Sequence, residues 1–299
     1  MYHLNTSYSN STFSWNTGQV VASFVLGLCC LVGVPGNIAV IVGILHNYKK
    51  ENFTRKLILN LAISDLLSLL TLPVSIYSLL HGWDFGQFPC KLLSYAVYCC
   101  LYTNVLMVTL MSVQRYLVVL YKQCWARLRR TREMVLLVSM WVLACLLASP
   151  NILSWDTVDK NNLRMCQRSP RTDEEKVAVL LGETLLGFVI PFSILLTSYF
   201  CLHKKVNQTT FFNNQRTTWL VTSIVATFFI LWFPAHVINI LDITTTLLRT
   251  SQPTVYEKLK RFRRASGDIA KTLVFINSCV NPFLYAFAYR PVCRSSEPV

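Results

Sequence analysis

The chain has few charged residues for its length. Only 14% of its 299 residues are Asp, Glu, Lys or Arg, against about 25% in a typical soluble protein. This scarcity argues against a disordered chain, a coiled coil and an ordinary soluble enzyme. Acidic residues are scarcest, since 14 of them stand against 28 Lys and Arg and leave a net charge of +14. The basic residues lie between apolar runs, so membrane topology explains the excess better than a nucleic-acid partner does.

Long hydrophobic runs are abundant, with 53% hydrophobic residues and a mean hydropathy of +0.43. A helix needs roughly 20 apolar residues to cross a bilayer. Seven runs reach that length, at residues 19–45, 57–80, 92–114, 134–155, 177–202, 217–241 and 269–289. A spanning helix satisfies its own backbone in lipid, and the alternation of a membrane barrel is missing. The sequence therefore predicts an all-α membrane protein, a seven-transmembrane helix bundle in the lipid bilayer.

The first loops set the expected orientation. Residues 1–18 contain no Lys or Arg, whereas the segment after the first span carries Lys49, Lys50, Arg55 and Lys56. Basic residues concentrate in cytosolic loops. We therefore expect the N-terminus outside the cell and the C-terminus inside.

This orientation divides the chain into three regions. We expect an extracellular N-terminus over residues 1–18, glycosylated at Asn5 and Asn10, which both stand in Asn-x-Ser/Thr sequons. The seven-transmembrane domain is predicted over residues 19–290, and a short cytosolic tail over residues 291–299.

Two of the eleven cysteines are predicted to form a disulfide. Most of the others lie within spans, where we interpret them as apolar filler. Cys90 stands at the outer start of the third span and Cys166 in the loop before the fifth, so both face the oxidising side. No set of Cys and His residues has the spacing of a zinc site.

An acid in the middle of a span predicts a functional site. Asp65 lies in the second span, and Asn104, Ser278 and Asn281 bring oxygen atoms to a similar depth. Oxygen ligands suit a hard cation, so we predict a sodium site at these four residues. The alternative is a purely structural polar contact.

A second polar group is predicted near the outer ends of the spans. Its six members are titratable or hydrogen-bonding side chains of the third, fifth, sixth and seventh spans. They are Tyr98, Tyr102, Glu183, His236, Asn239 and Lys271. We expect them to line one outward-open cavity and bind a ligand. The alternative for the aromatic members is ordinary packing in the bundle.

Two further features have structural consequences. Proline removes a backbone hydrogen bond and can kink a helix, and five of the spans after the first contain one or end at one. These prolines are Pro73, Pro150, Pro191, Pro234 and Pro282. The predicted outer loop at residues 242–268 is also basic, which indicates either a ligand-attracting surface or an ordinary solvated face.

Motifs run in order through all seven spans. They are Gly36-Asn37, Asn60-Leu61-Ala62 with Asp65, Cys90 with Arg115, Trp141, Pro191 with Tyr199, Phe228-x-x-Leu231-Trp232-Phe233-Pro234 and Asn281-Pro282-x-x-Tyr285. Together they resemble the rhodopsin-like G-protein-coupled receptors along essentially the whole chain. The resemblance implies a multi-pass receptor of the plasma membrane that is not an enzyme and needs no cofactor beyond an allosteric sodium ion.

The resemblance also implies how such a chain signals. Ligand binding above Trp232 would move the sixth helix outward. Arg115, Tyr199 and Tyr285 would then rearrange with Asn281 and Pro282, and a cytosolic pocket would open for a heterotrimeric G protein. The cation at Asp65 would favour the inactive state.

The chain departs from this family pattern next to Arg115. An acid usually precedes the arginine, whereas Gln114 stands here and can form a hydrogen bond but no ion pair. No acid opens the sixth helix either. We therefore expect a weak inactive state with basal activity.

Shorter signals resemble the leukotriene B4 receptors and their chemoattractant relatives. They are Gly33-Val34-Pro35-Gly36-Asn37, Tyr102, Glu183 with Gly187-Phe188, Pro191-Phe192 and Trp232-x-Pro234-x-His236-Val237-x-Asn239. This resemblance implies an acidic lipid ligand such as leukotriene B4, an inhibitory G protein, and a role in chemotaxis and inflammation. The ligand carboxylate would be attracted by basic residues, namely Lys271, Arg164, Arg168, Arg263 and Arg264. Its hydroxyls would bond to Glu183, His236 and Asn239.

Three positions depart from this subgroup: Ser94 replaces an expected histidine, and Asp156 and Gly267 stand where arginines are expected. Two other functions therefore stay open. One is a peptide chemoattractant receptor. The other is a decoy receptor that binds ligand without signalling, which the missing acid before Arg115 would suit. The sequence does not specify an oligomeric state.

Overall fold

The computed structural model describes residues 17–46, 52–120, 130–160, 163–206, 215–249 and 251–289. The α-helices are α1 Thr17–His46, α2 Phe53–Leu70, α3 Leu72–His81, α4 Gln87–Leu120, α5 Arg130–Ala148, α6 Pro150–Ser154, α7 Asp173–Thr184, α8 Ile190–Val206, α9 Gln215–Leu248 and α10 Pro253–Tyr289. A π-helical segment, Leu185–Val189, joins α7 to α8, and one hairpin pairs β1 Trp155–Lys160 with β2 Leu163–Arg168. The predicted glycosylation sites Asn5 and Asn10 and the tail lie outside the described residues.

These helices form the predicted spans. The second span consists of α2 and α3, the fourth of α5 and α6, and the fifth of α7, the π segment and α8. In the described part of the chain, six helical stretches are long and apolar enough to cross a membrane. The seventh predicted span, residues 269–289, is the C-terminal half of α10. The prediction of an all-α seven-helix bundle is confirmed.

Proline marks three of the helix boundaries. Pro73 and Pro150 lie in the first turns of α3 and α6, and Pro191 is the second residue of α8, just after the π segment. The first turn tolerates proline because its amide groups have no intrahelical acceptor. Pro234 and Pro282 instead lie inside the continuous helices α9 and α10.

The predicted loop at residues 242–268 is mostly helical, so this boundary was wrong. α9 continues to Leu248, and α10 begins at Pro253, well before the predicted span. Contacts between helices support both extensions. Arg263 Nε pairs with Asp242 Oδ1 at 2.8 Å, and Lys176 Nζ donates to Thr246 Oγ1 at 2.9 Å. Hydropathy alone does not reveal such polar contacts, since it only marks where a helix leaves the lipid.

The first helix packs closely on the second and seventh spans. A Cβ atom at Gly33 would lie 2.6 Å from Leu69 Cδ1 and 2.9 Å from Cys279 Sγ, so any other residue would force these side chains to shift. One turn further, Asn37 Nδ2 donates to the carbonyl oxygens of Gly33 and Ser278, each at 2.9 Å. Gly33 and Asn37 of the first span therefore fix the approach of α1 to α10.

Polar side chains also tie the middle helices together. Trp141 Nε1 donates to Asn60 Oδ1 at 2.9 Å and joins α5 to α2, while Ser64 Oγ donates to the Cys100 carbonyl at 2.9 Å and joins α2 to α4. In lipid these bonds have no competition from water. Around them the largest core cluster includes the fully buried Leu57 and Phe228.

Candidate functional site

A disulfide places the β-hairpin against one end of the bundle. Cys90, at the start of α4, is bonded to Cys166 of β2, as the sequence predicted. The register pairs Trp155 with Arg168, and Ser169 N donates to the Ser154 carbonyl at 2.7 Å just beyond it. This end is called the disulfide end below. The hairpin register holds Arg168, two residues after the bonded cysteine, against the ends of the helices.

Arg168 lies at the centre of a polar network that joins four parts of the chain. Its guanidinium contacts both carboxylate oxygens of Glu183 on α7, with Nη1 donating to Oε2 at 3.2 Å. Nη2 also donates to the Tyr98 hydroxyl of α4 at 2.8 Å and to Asn151 Oδ1 of α6 at 3.1 Å. The side chains of Arg168 and Glu183 are only 16% and 9% exposed. These four residues and Asn239 of α9, which is described below, are together called the Arg168 cluster.

The charge of Arg168 is secured by its neighbours. Burial alone would lower the pKa of this guanidinium, but the neighbouring Tyr98 hydroxyl and Glu183 carboxylate raise it above its ordinary value. The side chain therefore remains a cation. A buried charge of this kind is tolerated because it is paired and hydrogen-bonded.

The other predicted ligand-binding residues surround this cluster. Asn239 Nδ2 lies 3.5 Å from Glu183 Oε2. Tyr102 and His236 converge on Gly187, where an added Cβ would lie 3.6 Å and 3.7 Å from their ring carbons. The structure therefore brings Tyr98, Tyr102, Glu183, His236 and Asn239 together, and their binding of a ligand stays a prediction.

His236 contributes an unused pair of polar atoms. The residue is buried, and neither ring nitrogen has a hydrogen-bond partner among the described residues. Its ring stacks on Phe188 at a centroid distance of 4.8 Å and lies 6.0 Å from the Trp232 ring. The imidazole thus offers hydrogen bonding on an otherwise aromatic surface, which suits a hydroxyl group on an apolar ligand.

Lys271 is the remaining predicted ligand residue. It precedes the buried Val274 and Ser278 by three and seven positions of α10 and so shares their face of the helix. Lys271 is itself exposed, and the charged groups that act on it are Arg263 and Arg168, which repel it, and Asp268 and Asp242, which attract it. In the described ranges it has neither a hydrogen bond nor an ion pair.

The other predicted carboxylate-attracting residues are already paired. Arg168 pairs with Glu183, Arg164 with Asp159 at 3.2 Å, and Arg263 with Asp242 at 2.8 Å. The Arg264 side chain lies outside the described residues. Among the predicted cations whose side chains the structure describes, Lys271 is therefore the one without an ion pair, and the role of Arg264 stays a prediction.

The predicted cation site is assembled in the middle of the bundle. Asn104 Nδ2 donates to Asp65 Oδ1, and Asn281 Nδ2 donates to Asp65 Oδ2, both at 2.8 Å. Ser278 is also within hydrogen-bonding reach of this carboxylate. All four residues are buried, and the amide oxygens of Asn104 and Asn281 have no partner among the described residues.

The chemistry of these four residues fits sodium in part. The carboxylate and the unpartnered amide oxygens are suitable ligands for a hard cation. Both amide nitrogens, however, already donate to the carboxylate, so an ion would compete with two hydrogen bonds. Elsewhere, no group of three or more His, Cys, Asp or Glu in the described chain could hold a metal ion.

The opposite end of the bundle, called the Arg115 end, contains the residues predicted to transmit the signal. Arg115 and Gln114 are buried near the end of α4, and Arg115 Nη2 donates to the Thr54 hydroxyl at 2.9 Å. Tyr285 is buried in the main core, whereas Tyr199 on α8 is 46% exposed. Trp232 stacks on Phe228 at 4.8 Å, between the two ends.

Comparison with known proteins decides the family. The profile described as "7 transmembrane receptor (rhodopsin family)" matches residues 36–285. The chain belongs to the rhodopsin family of seven-transmembrane receptors. It is a multi-pass protein of the plasma membrane and is not an enzyme.

Similarity to individual receptors extends over most of this chain. The chain is 33% identical over 283 residues to leukotriene B4 receptor 1 of Homo sapiens, spanning 93% of the chain and 79% of that receptor. It is 31% identical over 275 residues to G-protein coupled receptor E1 of Equine herpesvirus 2, spanning 90% and 70% respectively. It is 30% identical over 281 residues to C-X-C chemokine receptor type 2 of Mus musculus, spanning 91% and 75%.

The roles of two residues were not predicted from the sequence. Arg168 was expected to meet a ligand, yet its carboxylate partner belongs to the chain itself. Thr54 carried no signal at all, because a threonine at the start of a span is unremarkable. The position of Arg168 two residues after a predicted disulfide was the one available hint.

Proposed function

We propose that the receptor binds an acidic lipid mediator such as leukotriene B4 at its disulfide end, which faces outside the cell. Binding activates a heterotrimeric G protein of the inhibitory class at the Arg115 end. The observation that carries the proposal is the state of Lys271, which has no partner in the described residues while Arg164, Arg168 and Arg263 are all paired.

Lys271, a cation with no hydrogen bond or ion pair among the described residues, matches the chemistry of this ligand class. Leukotriene B4 is a hydroxylated fatty acid with one carboxylate, and Lys271 supplies one complementary charge. His236 and Asn239 offer hydrogen bonds for hydroxyls, and the rings of Phe188 and Trp232 border His236 as an apolar surface. Tyr98, Tyr102 and Glu183 complete the proposed binding set. The similarity to leukotriene B4 receptor 1 supports this choice.

The proposed signalling set connects the two ends. Trp232 stacks toward His236 on one side and Phe228 on the other, so a ligand on His236 bears on the middle of α9. Pro234 lies two residues away inside the same helix and gives it a point at which to bend. Arg115, Tyr199 and Tyr285 then form the G-protein pocket, with Asn281 and Pro282 as the bending point of α10. Sodium at Asp65, Asn104, Ser278 and Asn281 would oppose this change.

A peptide chemoattractant is the second candidate ligand. The similarity to C-X-C chemokine receptor type 2 favours it, as do the departures from the leukotriene subgroup at Ser94, Asp156 and Gly267. A decoy receptor is the third reading, favoured by Gln114.

The test is a titration of leukotriene B4 on cells that express the receptor with a sensor of inhibitory G-protein dissociation. A saturable response at nanomolar ligand is expected, and Arg115→Ala should abolish it while ligand binding is retained. Arg132→Ala is the matched control, because Arg132 is an exposed arginine at the same end. Silence at normal surface expression would contradict the lipid assignment. A response to chemoattractant peptides would then establish the second candidate, and ligand binding without any response the third.

A further inference from the structure

The start of α2 places one hydroxyl group beside Arg115. Asn52 is the N-cap of this helix, and its Oδ1 accepts a hydrogen bond from Thr54 N at 3.2 Å. A cap of this kind fixes the first turn of a helix. Thr54 is thereby held at the second helical position, where it is buried with 1% exposure.

The Thr54 hydroxyl bonds to two neighbouring residues of α4 at once. It accepts from Arg115 Nη2 at 2.9 Å and donates to Gln114 Oε1 at 3.1 Å. The direction of each bond follows from the chemistry, because a guanidinium only donates and a hydroxyl has a single proton. Gln114 is buried with 2% exposure and Arg115 with 7%. The hydroxyl therefore links two side chains that point from adjacent positions of one helix to the same atom of another.

This arrangement gives Gln114 a defined role. A carboxylate at position 114 could hold the neighbouring guanidinium directly by charge, but an amide cannot. The amide oxygen of Gln114 instead takes the hydroxyl proton of Thr54, which directs the oxygen lone pairs of Thr54 to Arg115. This contact between α2 and α4 thus depends on the neutral Thr54 hydroxyl, which donates to Gln114 and accepts from Arg115.

We propose that Thr54 is the positioning residue that keeps Arg115 in its ligand-free place, and that the hydroxyl replaces the direct ion pair which Gln114 cannot form. The proposal rests on the G-protein function proposed above and names how that function is restrained. Because Thr54 and Gln114 are neutral, breaking this contact of Arg115 with α2 costs a charge-assisted hydrogen bond and not an ion pair.

The first test compares three variants in a ligand-free G-protein assay. Thr54→Val removes only the hydroxyl and should raise basal activation roughly tenfold or more, the effect of losing one hydrogen bond to a charged group. Thr54→Ser keeps the hydroxyl and should stay close to wild type. Thr109→Val is the matched control, because the Thr109 hydroxyl bonds within its own helix to the Val105 carbonyl. Equal basal activity in Thr54→Val and wild type, at equal surface expression, would overturn the proposal.

A double variant separates positioning from general loosening. If Thr54 and Gln114 act through one network, Thr54→Val with Gln114→Leu should give the basal activity of the stronger single variant. Fully additive effects would show that the two residues act independently and would overturn the proposal.

Hydrogen exchange keeps the test independent of any G protein. In purified receptor in lipid nanodiscs, Thr54→Val should speed amide exchange in residues 110–118, and Thr54→Ser should not. Faster exchange in a receptor that never activates a G protein would support the contact between Thr54 and Arg115 but contradict the proposed G-protein function. Unchanged exchange would overturn the role of Thr54, whatever the receptor signals to.

Discussion

A guanidinium group holds helices together at each end of the bundle, but the two are held by different chemistry. At the disulfide end, Arg168 lies on a hairpin that a disulfide bond holds in place. It contacts the carboxylate of Glu183 and one oxygen atom each of Tyr98 and Asn151. At the Arg115 end, Arg115 meets the hydroxyl of Thr54, whose other partner is the neutral Gln114. The first arrangement suits a permanent support, and the second suits a contact that must open.

The energies expected for the two contacts differ accordingly. Removing one partner of a buried ion pair costs about 3–5 kcal/mol, because the other charge remains buried without compensation. Removing one hydrogen bond to a charged group costs about 1.5–3 kcal/mol. Variants at each end therefore test whether the Arg168 and Arg115 contacts differ in strength as expected.

The largest effect is expected at Arg168. Arg168→Ala should lower the free energy of unfolding by about 3–5 kcal/mol, since Glu183 would be left buried and unpaired. Thermal unfolding of the purified receptor measures this loss. Arg164→Ala is the control, because Arg164 lies on the same strand in an exposed pair with Asp159 and should change stability by less than about 1 kcal/mol. If the two variants unfolded at the same temperature, the Arg168 cluster would not be the support described above.

An intermediate effect is expected at Lys271. Lys271→Gln should weaken leukotriene B4 binding by about 10- to 100-fold, because it removes one charge-assisted contact to the ligand. Stability should hardly change, since Lys271 has no partner to strand in the described residues. Competition binding measures the affinity, and Lys258→Gln is the control on an exposed part of the same helix. Equal affinities would move the ligand carboxylate to another cation.

The smallest effect is expected at Gln114. Gln114→Asp should lower ligand-free G-protein activation about twofold to tenfold, because a carboxylate beside Arg115 adds ionic attraction to the hydrogen bond already present. A sensor of G-protein dissociation, read without ligand, measures the change. A wild-type receptor with no basal signal would show that the neutral contact already holds Arg115 fully, and the contrast between the two ends would then lose its functional meaning.

Features dictated by composition and topology were the ones that sequence reasoning found. Seven apolar runs fix the bundle, and an acid such as Asp65 within one of them must find polar neighbours, so its meeting with Asn104 and Asn281 was predictable. The disulfide between Cys90 and Cys166 followed from the side of the membrane that both occupy.

Features that depend on the direction of single side chains were out of reach. Whether Arg168 faces a ligand or Glu183 is decided by the register of a hairpin of two six-residue strands, which hydropathy does not encode. The bond from Arg115 to Thr54 depends on how the cap at Asn52 sets the first turn of α2. The early start of α10 depends on polar contacts such as the pair of Arg263 with Asp242.

The π segment at Leu185–Val189 offsets the side-chain positions of α7 from those of α8 around the axis of the fifth span. The Ile190 amide donates to the Leu185 carbonyl, five residues back, so this turn contains one residue more than an α-turn. Deleting any one residue here would restore an α-turn and rotate all of α7 by about 100° relative to α8. Glu183 would then leave Arg168 although neither residue had been changed. An alignment of relatives that differ by one residue in this segment therefore has to be built separately from each side, because a single gap placed elsewhere assigns Glu183 to the wrong face of the helix.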